Sequence, residues 1–401
     1  MRFRIGSLLA IALGAVLLGA GCGGAGKDEL VIGEFGSLTG GDATFGSSTK
    51  LGVEVALAEL TSAKQGKIGG LPVRVVVEDD QSQAQEAATA VQKLVNQDQA
   101  ISVIGEVASS RSLAGGPICQ AAGVPMISPS STNPRVTQVG DYIFRMCFLD
   151  DFQGRSVALF ATQNLGLKRI AILKDVKSDY SIGLTEYFSA ALKEMGGTVI
   201  AEQAYSAGDQ DFSAQLTALK AKNPEAIYIP GYYTEAGLIA RKARELGINV
   251  PLLGSDGWES EKLLEIGGES LNGSYYTNHW ALDVAAPPLQ AFLKTFREKN
   301  GGSDPDAIAG LAYDAAQVLF GCMEKLATDD PAAFKGLASS KAGTPERKAA
   351  TAKLRDLIAQ TKDYPGVTGT ITLDANRNAS KPLVVLEVKG GKKVFNTTIN
   401  P

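Results

Sequence analysis

The chain has 401 residues, 44% of them hydrophobic, and a formal net charge of −4. That length exceeds one ordinary hydrophobic core and predicts about two domains. The 39 basic residues are spread singly along helix faces, which excludes the clustered basic surface that nucleic acid requires.

Arg2 and Arg4 precede an apolar run from Ile5 to Leu18, and Cys22 follows three small residues. This reads as a secretory signal over 1–22 with a lipoprotein-type cysteine, and residues 23–28 read as a linker. In a lipoprotein, Cys22 becomes the lipid-bearing first residue of the mature chain and its only tie to a membrane. Gly19 stands where an aliphatic residue is usual, so ordinary signal cleavage is the alternative. The run is short for a bilayer span. Gly21, Gly23 and Gly26 fit a dinucleotide fingerprint, but no strand precedes them in the mature chain, and they are read as linker.

From Glu29 onward strand and helix patterns alternate: Leu30 to Phe35, Ser47 to Leu60, Pro72 to Glu78, Gln83 to Asn96, Ile101 to Gly105, Ser112 to Ala122 and Met126 to Ile127. Such alternation predicts a parallel sheet covered by helices. A crossing segment, D-Y-I-F-R-M-C-F-L-D-D-F-Q-G, follows from Asp141, and a second βα series runs from Arg169 to Gly254. The helices near Pro288 to Asn300, Ile308 to Ala327 and Arg347 to Thr361 form no third sheet and are expected to cover the first lobe. Strand patterns return at Leu383 to Val388 and Val394 to Thr398. The fold class is therefore α/β, with two doubly wound parallel-sheet lobes joined by several crossovers. The predicted lobes are 29–149 plus 277–380 and 150–276 plus 381–401, and repeated crossings of that kind make a hinge.

Two stretches carry chemistry. I-G-E-V-A-S-S ends at Ser110, and V-P-M-I-S-P-S-S-T-N-P runs from Val124 to Pro134; each begins as a short apolar strand and breaks into small hydroxyl residues. In a parallel sheet that break falls at the carboxyl end of a strand, where ligand crevices form. Ser109 and Ser110 precede a helical pattern, where free N–H groups attract an anion. Pro129 and Pro134 hold Ser130, Ser131, Thr132 and Asn133 out of a helix, so their polar groups can converge on a small carboxylate. Ordinary βα turns are the competing account.

With Cys22 set aside, Cys119, Cys147 and Cys322 remain, an odd number for an oxidising compartment. A Cys119 to Cys147 disulfide with one buried thiol is one reading, and three reduced thiols is the other. His279 is the sole histidine, which excludes multi-histidine metal sites, and no G-x-S-x-G is present. Neither an enzyme nor a cofactor is expected.

The ordered series G-E-V-A-S-S, P-M-I-S-P-S-S-T-N-P, F-L-D-D-F-Q-G, D-Y-S-I-G-L, P-G-Y-Y-T-E-A-G, L-L-G-S-D-G and Y-Y-T-N-H-W resembles the type I periplasmic solute-binding proteins, and most closely the leucine/isoleucine/valine-binding branch that feeds ABC importers. The resemblance spans nearly all of the mature chain. It implies that the positions of Ser109 and Thr132, with backbone groups near Ser130, hold a ligand α-carboxylate. It further implies that Tyr180, Tyr232 and Asp256 serve from the second lobe, with Asp256 pairing to the α-ammonium, and that the Phe45 ring packs on the ligand. A zwitterion enclosed between lobes needs both charges matched, because an unpaired buried ion costs several kcal/mol. Trp258 and Trp280 either shape the side-chain pocket or pack the hinge. Arg111 departs from the small polar residue of the branched-chain binders and either takes an acidic ligand side chain or lies solvated on a helix. The disulfide of the best-known members has no counterpart, since Ala108 and the Gln81 region occupy its places.

By this resemblance the protein is an exported monomer of the periplasm or cell envelope. It captures a branched-chain or other aliphatic amino acid and docks on a permease. Aromatic amino acids, amides, urea and γ-amino acids are alternative cargoes, and a sensory receptor on the same fold is an alternative role.

Overall fold

The computed structural model describes residues 28–282 and 287–401. The first part of the chain forms β1 (Leu30–Gly36), α1 (Ala43–Lys64), β2 (Lys67–Ile68), β3 (Leu71–Asp79), α2 (Ala84–Asn96), β4 (Ser102–Ile104), α3 (Ser109–Ala122), β5 (Met126–Ser128), α4 (Arg135–Gln138) and β6 (Ile143–Arg145). The second forms α5 (Asp150–Leu159), β7 (Arg169–Asp175), α6 (Asp179–Glu194), β8 (Thr198–Tyr205), α7 (Ser213–Lys220), β9 (Ala226–Tyr228), α8 (Tyr233–Glu245), β10 (Leu252–Gly254), α9 (Glu261–Gly267) and β11 (Ser274–Asn278). The last comprises α10 (Pro287–Lys299), α11 (Ala307–Asp329), α12 (Pro331–Ser339), α13 (Pro345–Ala359), β12 (Tyr364–Gly366), β13 (Gly369–Ile371), β14 (Leu383–Lys389) and β15 (Lys392–Ile399).

Six strands make one sheet in the order β2-β3-β1-β4-β5-β6, and seven make another in the order β15-β14-β11-β10-β9-β7-β8. The inner pairs β3-β1-β4-β5-β6 and β8-β7-β9-β10-β11 are parallel, while β14 and β15 add antiparallel to the second sheet. Each sheet reverses its strand order once, at β1/β4 and at β7/β9. In a doubly wound sheet the crevice for a ligand opens at the carboxyl ends of the strands flanking that reversal.

Alternation along each strand sends neighbouring residues to opposite helical layers. Ile127 and Phe144 pack with α1, α11, α12 and α13, whereas Met126 and Ile143 pack with α2 and α3. In the second lobe Ala171 and Leu173 face α7 and α8, and Ile170 and Ile172 face α5 and α6. The late helices thus return to the first lobe as expected. Gly52 lets α1 and α11 meet closely, since a Cβ there would lie 2.1 Å from the Ala309 carbonyl oxygen. Asp306, Asp330 and Thr344 cap α11, α12 and α13 through their side chains.

Two expectations are corrected. The crossing segment from Asp141 is more than a connection: from Asp150 it forms helix α5, which continues as a π-helix over Phe160–Asn164. The Cys119–Cys147 disulfide is absent, and both cysteines, with Cys322, are free thiols. Cys119 lies in the α2/α3 layer and Cys147 in the α1/α11 layer, so the first sheet separates them. Burial pushes all three thiols up to about 12, which keeps them protonated and unreactive. No helix among the described residues is long and apolar enough to cross a membrane. Cys22 and the signal lie outside the described residues.

Candidate ligand site

The carboxyl ends of β1, β4 and β5 face those of β7, β9 and β10 across a narrow gap of about 240 Å³ of atom-free space. Phe45, Val107, Ser130 and Ile308 line it from the first lobe, and Tyr180, Tyr232, Asp256 and Gly257 from the second. The lobes are shut on it. At one rim Asp179 N donates to Ser110 Oγ at 2.9 Å, Asn133 Nδ2 donates to the Asp179 carbonyl at 2.8 Å, and Arg135 pairs with the Asp179 carboxylate at 2.8 Å. At the other, Thr44 N donates to Tyr233 Oη at 3.1 Å, and Thr234 Oγ1 donates to the Gly41 carbonyl at 2.7 Å.

The first-lobe pole is built from donors. Ser109 opens α3, and the N–H groups of Ser109 and Ser110 have no acceptor among the described residues, as the first turn of any helix dictates. Ser109 Oγ accepts from Asn133 N at 3.2 Å, which brings the β5 loop against the helix start and leaves the hydroxyl proton free. Thr132 Oγ1 is buried with no well-aligned partner, and the Asp150 carboxyl lies near enough to draw on its hydroxyl. A buried polar group of that kind is costly unless something fills it, and a carboxylate satisfies this donor set.

The second-lobe pole is acidic. Tyr180 Oη donates to Asp256 Oδ1 at 2.6 Å and accepts from Gly257 N at 2.8 Å. Gln153 Nε2 donates to the same Oδ1 at 2.8 Å, and also reaches Thr277 Oγ1 at 2.9 Å. On the far oxygen, His279 Nε2 lies 2.9 Å from Asp256 Oδ2. Burial, with the Asp256 charge added, pushes the Tyr180 phenol well above its ordinary range, so it stays a donor. Between the poles the walls are apolar: Phe45 meets the Tyr232 ring edge-on at 5.4 Å, and Tyr232 stacks on Tyr180 at 5.2 Å.

Other predicted site residues fall elsewhere. Ser131 Oγ is bonded to the Glu106 and Val107 carbonyls at 2.8 and 3.0 Å and packs the loop, while Ser110 serves the rim. Trp258 is fully buried in the second-lobe core, over Gly254, with Nε1 donating to the Ile229 carbonyl at 3.1 Å. A 3₁₀ turn over Asp256–Trp258 rotates successive side chains by roughly 120°, so Asp256 turns to the gap and Trp258 away from it. Trp280 packs with Phe292 and Leu289 under α10. Neither tryptophan shapes the pocket.

Arg111 is not solvated. It is buried among carboxylates, 2.9 Å from Asp42, 3.1 Å from Glu106 and 3.9 Å from Asp80, behind the Tyr232 ring. Burial alone would lower its pKa, but Glu106 and Asp42 carry it upward, so the charge is permanent and shared with these neighbours, while Nη2 has no hydrogen-bond partner among the described residues. Val107, Ile308, Gln153 and His279 were missed as site residues. Asp150, also missed, is fully buried beneath the site; burial first holds its carboxyl well above the usual range, against the Thr132 hydroxyl that works the other way and with the Asp256 charge adding to it. Gln153 and Asp150 do stand in the F-L-D-D-F-Q-G stretch, and His279 in Y-Y-T-N-H-W, which was the signal available.

The periplasmic binding protein family model matches residues 29–393. The chain belongs to the periplasmic binding protein family. An amino acid binding protein of Pseudomonas aeruginosa is 31% identical over 336 residues, covering 82% of this chain and 86% of that protein. Among solved structures, the leucine binding protein LivK of Thermotoga maritima superposes with a TM-score of 0.83 at 37% identity, over 93% of this chain and 99% of that one. The branched-chain amino acid transporter substrate binding protein LivJ of Streptococcus pneumoniae, solved in complex with isoleucine, gives 0.82 at 31% identity, over 93% and 100%. As a periplasmic binding protein this chain is a solute-binding component and not an enzyme, and it acts outside the cytoplasm.

Proposed function

We propose that this protein captures an α-amino acid with an aliphatic, preferably branched side chain and presents it to the membrane subunits of an ABC importer. The observation that carries this reading is a gap with a donor pole, an acid pole and an apolar wall between them. Ser109, Thr132 and the first N–H groups of α3 take the carboxylate, Asp256 with Tyr180 takes the ammonium, and Phe45, Val107 and Ile308 accept the side chain. The ligand stabilises the shut form because only there does it touch both lobes. In this reading 29–149 plus 277–380 and 150–276 plus 381–401 move as rigid lobes, the protein works as a monomer, and Cys22 carries the lipid that keeps it at the membrane.

The test is a thermal-shift screen of the mature chain from Gly23, refolded to strip carried-over ligand, against the standard amino acids, amides, urea and γ-aminobutyrate. At about 100 times its dissociation constant a true ligand stabilises by about 2.7 kcal/mol, which raises the melting temperature. The expected response is confined to leucine, isoleucine, valine and near relatives. A response only to amides or urea, or to no amino acid, overturns the reading.

A further inference from the structure

His279 follows β11 directly, on a crossing between the lobes. Its buried ring stacks on Phe148 at 4.1 Å, and its Nε2 lies 2.9 Å from Asp256 Oδ2 and 3.2 Å from Ser130 Oγ. Asp256 belongs to the acid pole and Ser130 to the loop of the donor pole. One ring nitrogen therefore touches both.

The hydrogen-bond inventory fixes what that nitrogen does. An ionised carboxylate only accepts, so Nε2 carries the proton. The same N–H then approaches Ser130 Oγ as an acceptor, which leaves the serine hydroxyl's own proton for the ligand carboxylate. On Asp256, Oδ1 is filled by Tyr180 and Gln153 at 2.6 and 2.8 Å, while Oδ2 receives His279 alone. A carboxylate oxygen accepts about two hydrogen bonds, so one position remains on Oδ2, beside the imidazole, for an ammonium.

We propose that His279 is a positioning residue that orients both poles as a neutral Nε2–H donor, and that ligand capture competes with protonation of its ring. This rests on the amino-acid reading above. Protonated, the imidazolium supplies the positive charge that Asp256 otherwise takes from the ligand, and an arriving ammonium meets a like charge one hydrogen bond away. Asp256 faces the ring directly. Asp150 from α5, Arg145 from β6 and Lys381 are the other buried charged groups nearby, gathered around Cys147, which precedes Phe148. Nδ1 has no partner among the described residues, so no acceptor there holds a second proton.

The experiment titrates ligand-stripped mature protein with L-leucine by calorimetry between about pH 5.5 and 8, in two buffers of different ionisation enthalpy, for the parent, His279→Gln and His279→Phe. In the parent, the dissociation constant rises by up to about tenfold for each unit of acidification on the acid limb, and binding there releases up to about one proton. In His279→Gln, whose amide donates but does not titrate, the slope and the proton release disappear. His279→Phe keeps a ring against Phe148 but donates nothing, and it weakens binding at every pH. A parent constant that does not change with pH, or a Gln variant with the parent's slope and proton count, overturns the proposal. Failure of the parent to bind leucine, isoleucine or valine at any pH overturns the amino-acid reading instead. If a variant does not fold, the parent's own proton count decides.

Discussion

At the scale of single residues, the proposed capture is tested most sharply at the acid pole. Asp256→Ala leaves a ligand ammonium enclosed without its counter-charge, a loss of about 3 kcal/mol or more, or roughly 100-fold in dissociation constant. Calorimetry on the folded variant checks this, and near-parent affinity would remove Asp256 from the site. A second buried acid bears on stability. Glu34, on β1, is pushed up to about 8 by burial first and by Glu54 next. Its folded pKa exceeds the unfolded one, so its contribution is fully present below the ordinary glutamate range and is lost as pH rises through about 8. Glu34→Gln should therefore gain in melting temperature relative to the parent as pH rises from 5 to 8; a difference independent of pH would contradict the assignment. The family resemblance pointed to Asp256 and Tyr180, and both line the gap. His279 was not legible, because a lone histidine in a sequence shows neither its partners nor the direction of its ring.

At the scale of elements, the rim contacts of α6 decide how long the shut state lasts. The first residue of α6, Asp179, is held by Ser110, Asn133 and Arg135 from the opposite lobe. Each neutral hydrogen bond contributes about 1 kcal/mol, so Ser110→Ala and Asn133→Ala should each speed ligand dissociation roughly fivefold while association stays near the parent rate. Stopped-flow kinetics separates the two rates, and a slower association instead would make Ser110 a ligand contact after all. Strand and helix periods made most elements readable, down to the Met126/Ile127 alternation that orients β5. Helix α5 escaped because it opens with D-D-F-Q-G, a polar start that lacks apolar periodicity until Val157 and Ala158. Its polar face, with Asp150 and Gln153, is the part that reaches the site.

For the whole molecule, the two-lobed α/β architecture followed from the alternation of patterns, and the return of α10, α11 and α13 to the first lobe followed from their having no strands between them. Residue faces across a sheet did not follow. Cys119 sits on a helix and Cys147 in a loop past a strand, so their spacing carried no information about which layer each occupies. Trp258 shows the same limit, since its distance from Asp256 in sequence could not reveal the turn that buries it. The crossings themselves have a consequence for how the protein is made. The first lobe lacks α11, α12 and α13 until residue 359 has been synthesised, and the second lacks β14, which lies between β11 and β15, until residue 389. Neither lobe can complete its core while the chain is still emerging, and contacts that distant form slowly. For a protein that acts outside the cytoplasm, the fold thus ties completion of both cores to elements late in the chain.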